Sequence, residues 1–333
     1  MSGDRFDRRF TRMRRLLDAK LGTAVRAGAP KDLTEGCRYV LAGGGKRVRG
    51  ALVLLSCEAV GGRARDALNT GLAVETLHNF TLVHDDIMDN APARRGRPTV
   101  HTRWDVNNAL LVGDVLVGLA FAMLLKTRTA QPRRLVELLT RGLLDVCEGQ
   151  ALDLEFSHRS DVTVDEYFHM IEKKTGRLFG TAAELGAAVG GGSAREAAAL
   201  RAFGHHLGRA FQIQDDLLDV TADRRRFGKA IGGDIMEGKR TFLMLKALER
   251  ARGKDRAYLR RALHFSAARH PARNAGVIAG VTDLYRRYGV IDEARTVIGL
   301  NTTLALKNLE QLRPGPATGM LRWLSELMMN RES

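Results

Sequence analysis

Cysteine, proline, tryptophan and tyrosine are all scarce in this chain, with 3, 7, 2 and 5 copies among 333 residues. Cys37, Cys57 and Cys147 are odd in number and show no CxxC spacing. That argues against a disulfide framework or a zinc site and for a reducing compartment. So few prolines leave long intervals in which no helix is interrupted. Sustained period-two alternation is missing, as is an Asn-Gly turn between β-branched runs, so no strand is expected. The longest apolar stretch, Ala109 to Leu125, carries Asp114 and falls short of a spanning segment; it reads as a buried core helix. Met1 to Lys20 is charged throughout, which excludes a secretory signal and makes a cytoplasmic location the expectation.

What is present reads almost entirely with helical period. Phe6, Phe10, Met13, Leu16, Leu17 and Leu21 recur between arginines from Arg5 to Val25. Further helices are expected at Leu33–Leu41, Val48–Val60, Arg63–Asp89, Val100–Lys126, Pro132–Glu155, Val164–Lys173, Thr175–Val189 and Ala194–Val220. Several more run from Lys239 to Arg331, broken near Gly253, His270, Gly289 and Pro314. The predicted fold class is all-α, one large bundle occupying residues 1–333 as a single domain. The net charge of +15 is scattered, with clusters at Arg8–Arg15 and Arg224–Arg226. No zinc-finger spacing or RNA-binding signature accompanies it, so a solvated basic surface is favoured over a nucleic-acid partner.

Within this pattern, His78 to Pro98 places Asp85, Asp86 and Asp89 at the end of an apolar helical run, followed by Arg94, Arg95 and Arg97. Asp85 and Asp89 lie one turn apart on one helix face and repel each other unless a cation sits between them. A hard ion with oxygen ligands suits them, Mg²⁺ above all, its shell completed by water and phosphate. The arginines suit the same polyanion. Asp215, Asp216 and Asp219 repeat the DDxxD pattern at the end of a second apolar helix. A solvated C-terminal turn is the plain alternative for each cluster. Acids there oppose the helix dipole at roughly 0.3–1 kcal/mol each, and two such clusters point to a bound cation.

Gly43 to Gly50, GGGKRVRG, sets Gly45, Lys46, Arg47 and Arg49 beside a helix start, where backbone amides can approach an anion. A basic interhelix turn explains it equally well, and the P-loop spacing is absent. Lys173, Lys174 and Thr175 precede an apolar helix, with Thr175 a plausible N-cap. Lys229 and Lys239 flank Asp234 in a loop after the second acidic cluster, and Gln212 and Gln214 sit one turn before that cluster's first two acids. His78 on an apolar helix is more simply a satisfied core histidine, His205 and His206 lack partners at any zinc spacing, and Phe121, Met123 and Leu124 read as core.

GGGKR, HDDIMD with RRGRPT, the Lys174-Thr175 pair, FQIQDDLLD and GK…GGD…GK follow one another in the order seen in trans-isoprenyl (polyprenyl) diphosphate synthases. The chain resembles that family from about Gly43 to Thr241. The resemblance implies antiparallel helices around a deep central cavity, usually a homodimer, with the two acidic motifs facing each other across its mouth. It implies condensation of isopentenyl diphosphate with an allylic diphosphate. Asp85, Asp89 and Asp215 would be the main ligands of about three Mg²⁺ ions, with Mn²⁺ an alternative, supported by Asp86, Asp216 and Asp219. Arg94, Lys174, Lys229 and Lys239 would stabilise the departing diphosphate, and Thr175 and Gln212 would steady the allylic cation. Gly45, Lys46, Arg49, His78 and Arg95 would hold isopentenyl diphosphate without metal, with Phe211 packed against it. The released diphosphate would act as base. Gly50 departs from the proline often found in bacterial members, a matter of loop stiffness.

Phe80 and Thr81, five and four residues before Asp85, match the positions that floor the product pocket, with Leu77 a turn below. One aromatic there resembles short-chain enzymes, geranylgeranyl first, with farnesyl or longer products as alternatives. A terpene cyclase or squalene/phytoene synthase would not need GGGKRVRG and Arg94-Arg95. A non-catalytic synthase subunit should have lost one acidic cluster, and both are kept.

Overall fold

Phe10, Met13, Leu17 and Leu21 recur at three- and four-residue steps, and in the computed structural model all four are buried along one side of helix α1 (Ser2–Gly22). The structure describes residues 2–25, 30–222, 232–264 and 274–329. The same logic builds α2 (Lys31–Leu41), α3 (Val48–Ala59), α4 (Leu68–Met88), α5 (Val100–Arg103), α6 (Val106–Leu124), α7 (Pro132–His158), α8 (Val164–Ile171), α9 (Arg177–Val189) and α10 (Ala194–Thr221). Then come α11 (Gly233–Met236), α12 (Phe242–Arg250), α13 (Gly253–Leu263), α14 (Asn274–Arg287), α15 (Val290–Leu309) and α16 (Pro316–Met329). The all-α class stands. Capping boxes start α8 at Thr163 and Glu166 and α10 at Ser193 and Glu196.

Four expectations are corrected. Pro92–Pro98 is not a plain loop: Ala93–Arg94 (β1) and Arg97–Pro98 (β2) pair antiparallel. Arg95 and Gly96 between them have φ of +52° and +71°, the left-handed pair of a tight hairpin turn. Two-residue strands are too short for any alternation to show. The helix expected from Arg63 starts at Leu68, after turns in which Arg63 pairs with Asp66. Val100–Lys126 is two helices, because the Asp105 side chain caps α6 by accepting from the Asn108 N–H. And α6 is not a buried core helix: by length and apolar composition it is the one described helix that would suffice to cross a membrane, yet only 33% of that window is buried.

The core forms two clusters. One joins α1–α4, α6, α9 and the start of α10, and the other joins α8, the end of α10 and α12–α15. α10 runs through both, with Phe203 and Leu207 in the first and Ile213 and Leu217 in the second. α4 packs most extensively on α6, and α9 on α3 and α10. The C-terminal ends of α4 and α10, where the acids lie, are thereby held within the same bundle.

Candidate active site

Asp85 and Asp86 occupy the last turn of α4, and Asp89 is its C-cap. Asp86, Asp216 and Asp219 are only 6%, 5% and 8% exposed, so neither cluster is a solvated helix end. Arg94 on β1 closes over the first cluster, with Nε 2.7 Å from Asp86 Oδ1 and Nη2 3.3 Å from Asp85 Oδ2. Lys174 Nζ reaches it from across the bundle, 3.4 Å from Asp85 Oδ1 and 2.6 Å from Asp153 Oδ2. Lys239, in the segment after the second cluster, lies 3.6 Å from Asp89, 3.8 Å from Asp234 and 2.7 Å from Glu237. The structure thus brings Asp85, Asp86, Asp89, Arg94, Lys174 and Lys239 together, and Lys239 ties the two acidic regions to each other.

The second cluster is held differently. Asp219 accepts from the Gly233 and Asp234 N–H groups, both at 3.1 Å, which anchors the loop carrying Lys239. Asp216 accepts from the Tyr167 hydroxyl at 2.7 Å and from Gln212 Nε2 at 3.0 Å. Asp215, one step earlier on α10, is only partly buried. Lys229 lies outside the described residues.

Thr175 is not an N-cap. α8, the segment Glu172–Gly176 and α9 form one continuous helix, and the middle segment is a π-helical turn. Such bulges are frequent at functional sites. Here the turn widens the helix and lets the Thr175 hydroxyl donate to Gln212 Oε1 at 2.8 Å. Gly149 on α7 makes room for it, since a Cβ at that position would lie 2.2 Å from the Lys174 nitrogen.

Two turns before Asp85 on α4, His78 Nε2 lies 3.0 Å from Arg49 Nη1, and the Arg49 guanidinium stacks 4.4 Å above the Phe179 ring. Phe211 packs against Phe179 with ring centroids 5.7 Å apart. Arg95 donates to the Gly44 carbonyl, drawing the hairpin over Gly45, while Lys46 is exposed. The expected residues Gly45, Lys46, Arg49, His78, Arg95 and Phe211 therefore lie in the turn before α3, on α3, α4 and α10, and in the hairpin. Two arginines go elsewhere. Arg47 is buried against Asp18, Glu75 and the Leu41 carbonyl, an internal ion pair and not part of an anion cradle. Arg97 stacks 3.9 Å over Tyr39, and no ion pair joins it to the aspartates among the described residues. Gly50 is in α3 and not in a loop, and its N–H donates to Glu75 at 2.8 Å, a bond a proline would remove.

Electrostatics fit a cationic guest. Burial raises the Asp86 and Asp89 carboxyls, offset in part by Arg94 and Lys239 respectively. Burial, then the nearby Asp234, pushes Asp216 up to about 8 and Asp219 up to about 7. Burial works against the Lys174 ammonium, but Asp153 and Asp85 outweigh it and raise its pKa. His78 is held well below its usual value by burial and by Arg49 and Arg95, so it is a neutral imidazole among cations. Asp85 Oδ1 is buried and accepts no hydrogen bond, with Lys174 its neighbouring charge. Among the described residues no three His, Cys, Asp or Glu side chains converge on one metal position. An ion that takes few protein oxygens and completes its shell with phosphate and water is the kind these acids suit, and Mg²⁺ is such an ion.

Missed from sequence were Asp153, Tyr167, Phe179 and Glu237, each a partner of an expected residue. Asp153 and Tyr167 sit four residues from Gly149 and Thr163, helix-spacing clues too weak to single them out.

The fold and this site define a class, the trans-prenyltransferases of the isoprenoid synthase fold. A family model described as polyprenyl synthetase matches residues 30–278, and the chain belongs to that family. It is 38% identical to a short chain isoprenyl diphosphate synthase of Methanothermobacter thermautotrophicus over 95% of this chain and 96% of that one. It is equally 38% identical to a geranylgeranyl diphosphate synthase of Methanosarcina mazei, over 95% of both chains. The crystal structure of a geranylgeranyl pyrophosphate synthetase from Pyrococcus horikoshii superposes with a TM-score of 0.91 at 36% identity, covering 98% of this chain and 99% of that one.

Proposed function

We propose that the protein joins isopentenyl diphosphate to allylic diphosphates and stops at geranylgeranyl diphosphate. The observation that carries this is the first acidic cluster lying under three basic side chains, Arg94, Lys174 and Lys239, the last on a segment that Asp219 of the second cluster anchors. Asp85, Asp89 and Asp215 would hold divalent ions, Mg²⁺ in the first instance. Bound there, the ions would neutralise the allylic diphosphate and make it a better leaving group. The chain's own part is positional. Arg94, Lys174 and Lys239 now pair with carboxylates, and would turn part of that charge to the phosphate oxygens as they become anionic. Thr175 and Gln212 present hydroxyl and carbonyl dipoles to the carbon losing its diphosphate. Lys46, Arg49, neutral His78 and Arg95 hold the second diphosphate. Asp216 and Asp219 accept from protein donors at both oxygens, so their part is to hold Gln212 and the Lys239 loop.

The working unit is a homodimer. Leu110, Leu111 and Val115 on α6 are 42%, 54% and 38% exposed, an apolar face that a second copy would cover.

The test is incubation with isopentenyl diphosphate and dimethylallyl, geranyl or farnesyl diphosphate, with and without Mg²⁺, followed by product-length analysis. Mg²⁺-dependent formation of a C20 product is expected, and absence of any elongation would overturn the reading. Asp85→Ala should abolish turnover while leaving the helical circular dichroism spectrum intact; retained turnover would remove Asp85 from the metal set.

A further inference from the structure

Tyr167 lies outside every motif described above, on α8, fully buried with its ring against Phe168 and Phe242. Its hydroxyl is nonetheless the end of a chain that leads into the site. It donates to Asp216 Oδ2 at 2.7 Å, Gln212 Nε2 donates to Asp216 Oδ1 at 3.0 Å, and Thr175 donates to Gln212 Oε1 at 2.8 Å. We propose that Tyr167 is a positioning residue for ionisation, acting through Asp216 to keep the Gln212 carbonyl turned toward Thr175 and the site.

The directions follow from donor chemistry. The phenol donates to one Asp216 oxygen and the Gln212 NH₂ to the other, which leaves the carbonyl at the far end of the amide. There it takes the Thr175 proton. With that proton committed, the remaining lone pairs on Thr175 and Gln212 are the negative ends of two fixed dipoles. Fixed dipoles of this kind stabilise charge that develops beside them, because they need no reorientation when it appears. Asp216 is 5% exposed, so water cannot readily replace the phenol. Without Tyr167, Oδ2 becomes a buried acceptor with no donor, which is costly. The Gln212 NH₂, already on the neighbouring oxygen, can turn to satisfy it, and swinging to Oδ2 draws the carbonyl off Thr175. Tyr167 thus acts on a carbon it never touches, and this rests on the prenyl transfer proposed above.

Tyr167→Phe removes only the hydroxyl and keeps the ring packing. Its kcat should fall about tenfold, with KM for both diphosphates and the Mg²⁺ half-saturation held within about twofold. In a Gln212→Ala background the same change should cost nothing more, because the residue it acts through is gone. In metal-free ¹⁵N-labelled protein, the Gln212 side-chain NH₂ resonance, assigned by its loss in Gln212→Ala, should move in Tyr167→Phe. An unchanged kcat, an equal loss in both backgrounds, a KM rise with a lowered Tm at constant kcat, or an unmoved NH₂ resonance would each overturn the proposal. If the wild-type protein elongates no prenyl chain, the functional reading fails instead, and the resonance still decides the role of Tyr167.

Discussion

The Lys239 ammonium lies 3.6 Å from the Asp89 carboxylate, joining the segment after one acidic cluster to the helix end that carries the other. Burial opposes its charge, but Asp234, Asp89 and Glu237 raise its pKa far above the usual value. In the metal-free protein it is therefore a counter-ion for three acids. Lys239→Gln leaves those acids uncompensated and should cost roughly 1–3 kcal/mol of metal-free stability. Thermal unfolding should show the loss, and Mg²⁺ with inorganic diphosphate should restore most of it. A variant as stable as wild type without metal would show that Lys239 is not needed to balance the cluster.

The π-helical turn makes a second prediction. Gly149 faces the Lys174 backbone so closely that a methyl group has no room, with a Cβ 2.2 Å from the nitrogen and 2.6 Å from Cα. Both obstacles are backbone, so the turn itself must shift. Gly149→Ala should destabilise the protein by about 1–3 kcal/mol. It should also lower kcat by moving Lys174 and Thr175, and urea melts with assays on the folded fraction would separate the two effects. A variant that is destabilised but fully active per folded molecule would show that the turn can move without consequence for the site.

Much of this was open to sequence reasoning. DDxxD at two helix ends, with basic residues after each, pointed to a cation and phosphate site, and the helical period pointed to the all-α class the structure has. What stayed hidden depends on tertiary contact. The hairpin needs Arg95 at φ +52°, a conformation only neighbouring structure selects. The π-turn needs the gap at Gly149, so Thr175 read locally as a cap. Arg94, Arg95 and Arg97 looked alike in sequence, yet the last stacks over Tyr39, a residue distant in the chain. Tyr167 carries no local mark, because its partner Asp216 is distant in the chain.

His205 gives a pH prediction. Burial, then Arg177 and Arg201, lowers its pKa from 6.5 to about 4. The folded state therefore binds its proton later than the unfolded chain as pH falls. Its contribution is intact above pH 6.5 and is lost progressively between about 6.5 and 4, to a limit of about 3 kcal/mol. Carboxylates titrate in that window too, so the measurement is the difference between wild type and His205→Gln. The variant's Tm should fall less steeply over that range, and parallel curves would show that His205 carries no such linkage.

The exposed face of α6 predicts an assembly. Leu111 and Val115 are one turn apart and, among the described residues, left 54% and 38% exposed. Charges there leave the isolated subunit's core untouched but cannot be buried in a self-complementary interface without partners. Leu111→Asp with Val115→Asp should convert a dimer to a monomer in light scattering while the circular dichroism spectrum is retained. A wild-type monomer at micromolar concentration, or an unperturbed dimer in the variant, would place any contact elsewhere.

On the proposed function, product length should turn on Phe80. It is 8% exposed on the side of α4 that meets α6, edge-on to His84 with ring centroids 4.8 Å apart. His84 is itself fixed, its Nε2 3.2 Å from the Leu110 carbonyl. Thr81 bonds back to the His78 carbonyl at 2.8 Å, and Leu77 is fully buried a turn below. Leu77, Thr81 and Asp85 share one face of α4, so a chain growing away from Asp85 would descend past Thr81 and meet Phe80 beside it. Removing the ring should open space there and lengthen the product by at least one isoprene unit. Phe→Ala in a core costs about 3–5 kcal/mol, so Phe80→Leu is the companion that keeps most of the packing. Both should shift the chromatographic profile of dephosphorylated products to longer alcohols, alanine further than leucine. If both variants fold and release the wild-type product, the floor of the pocket is not built from Phe80.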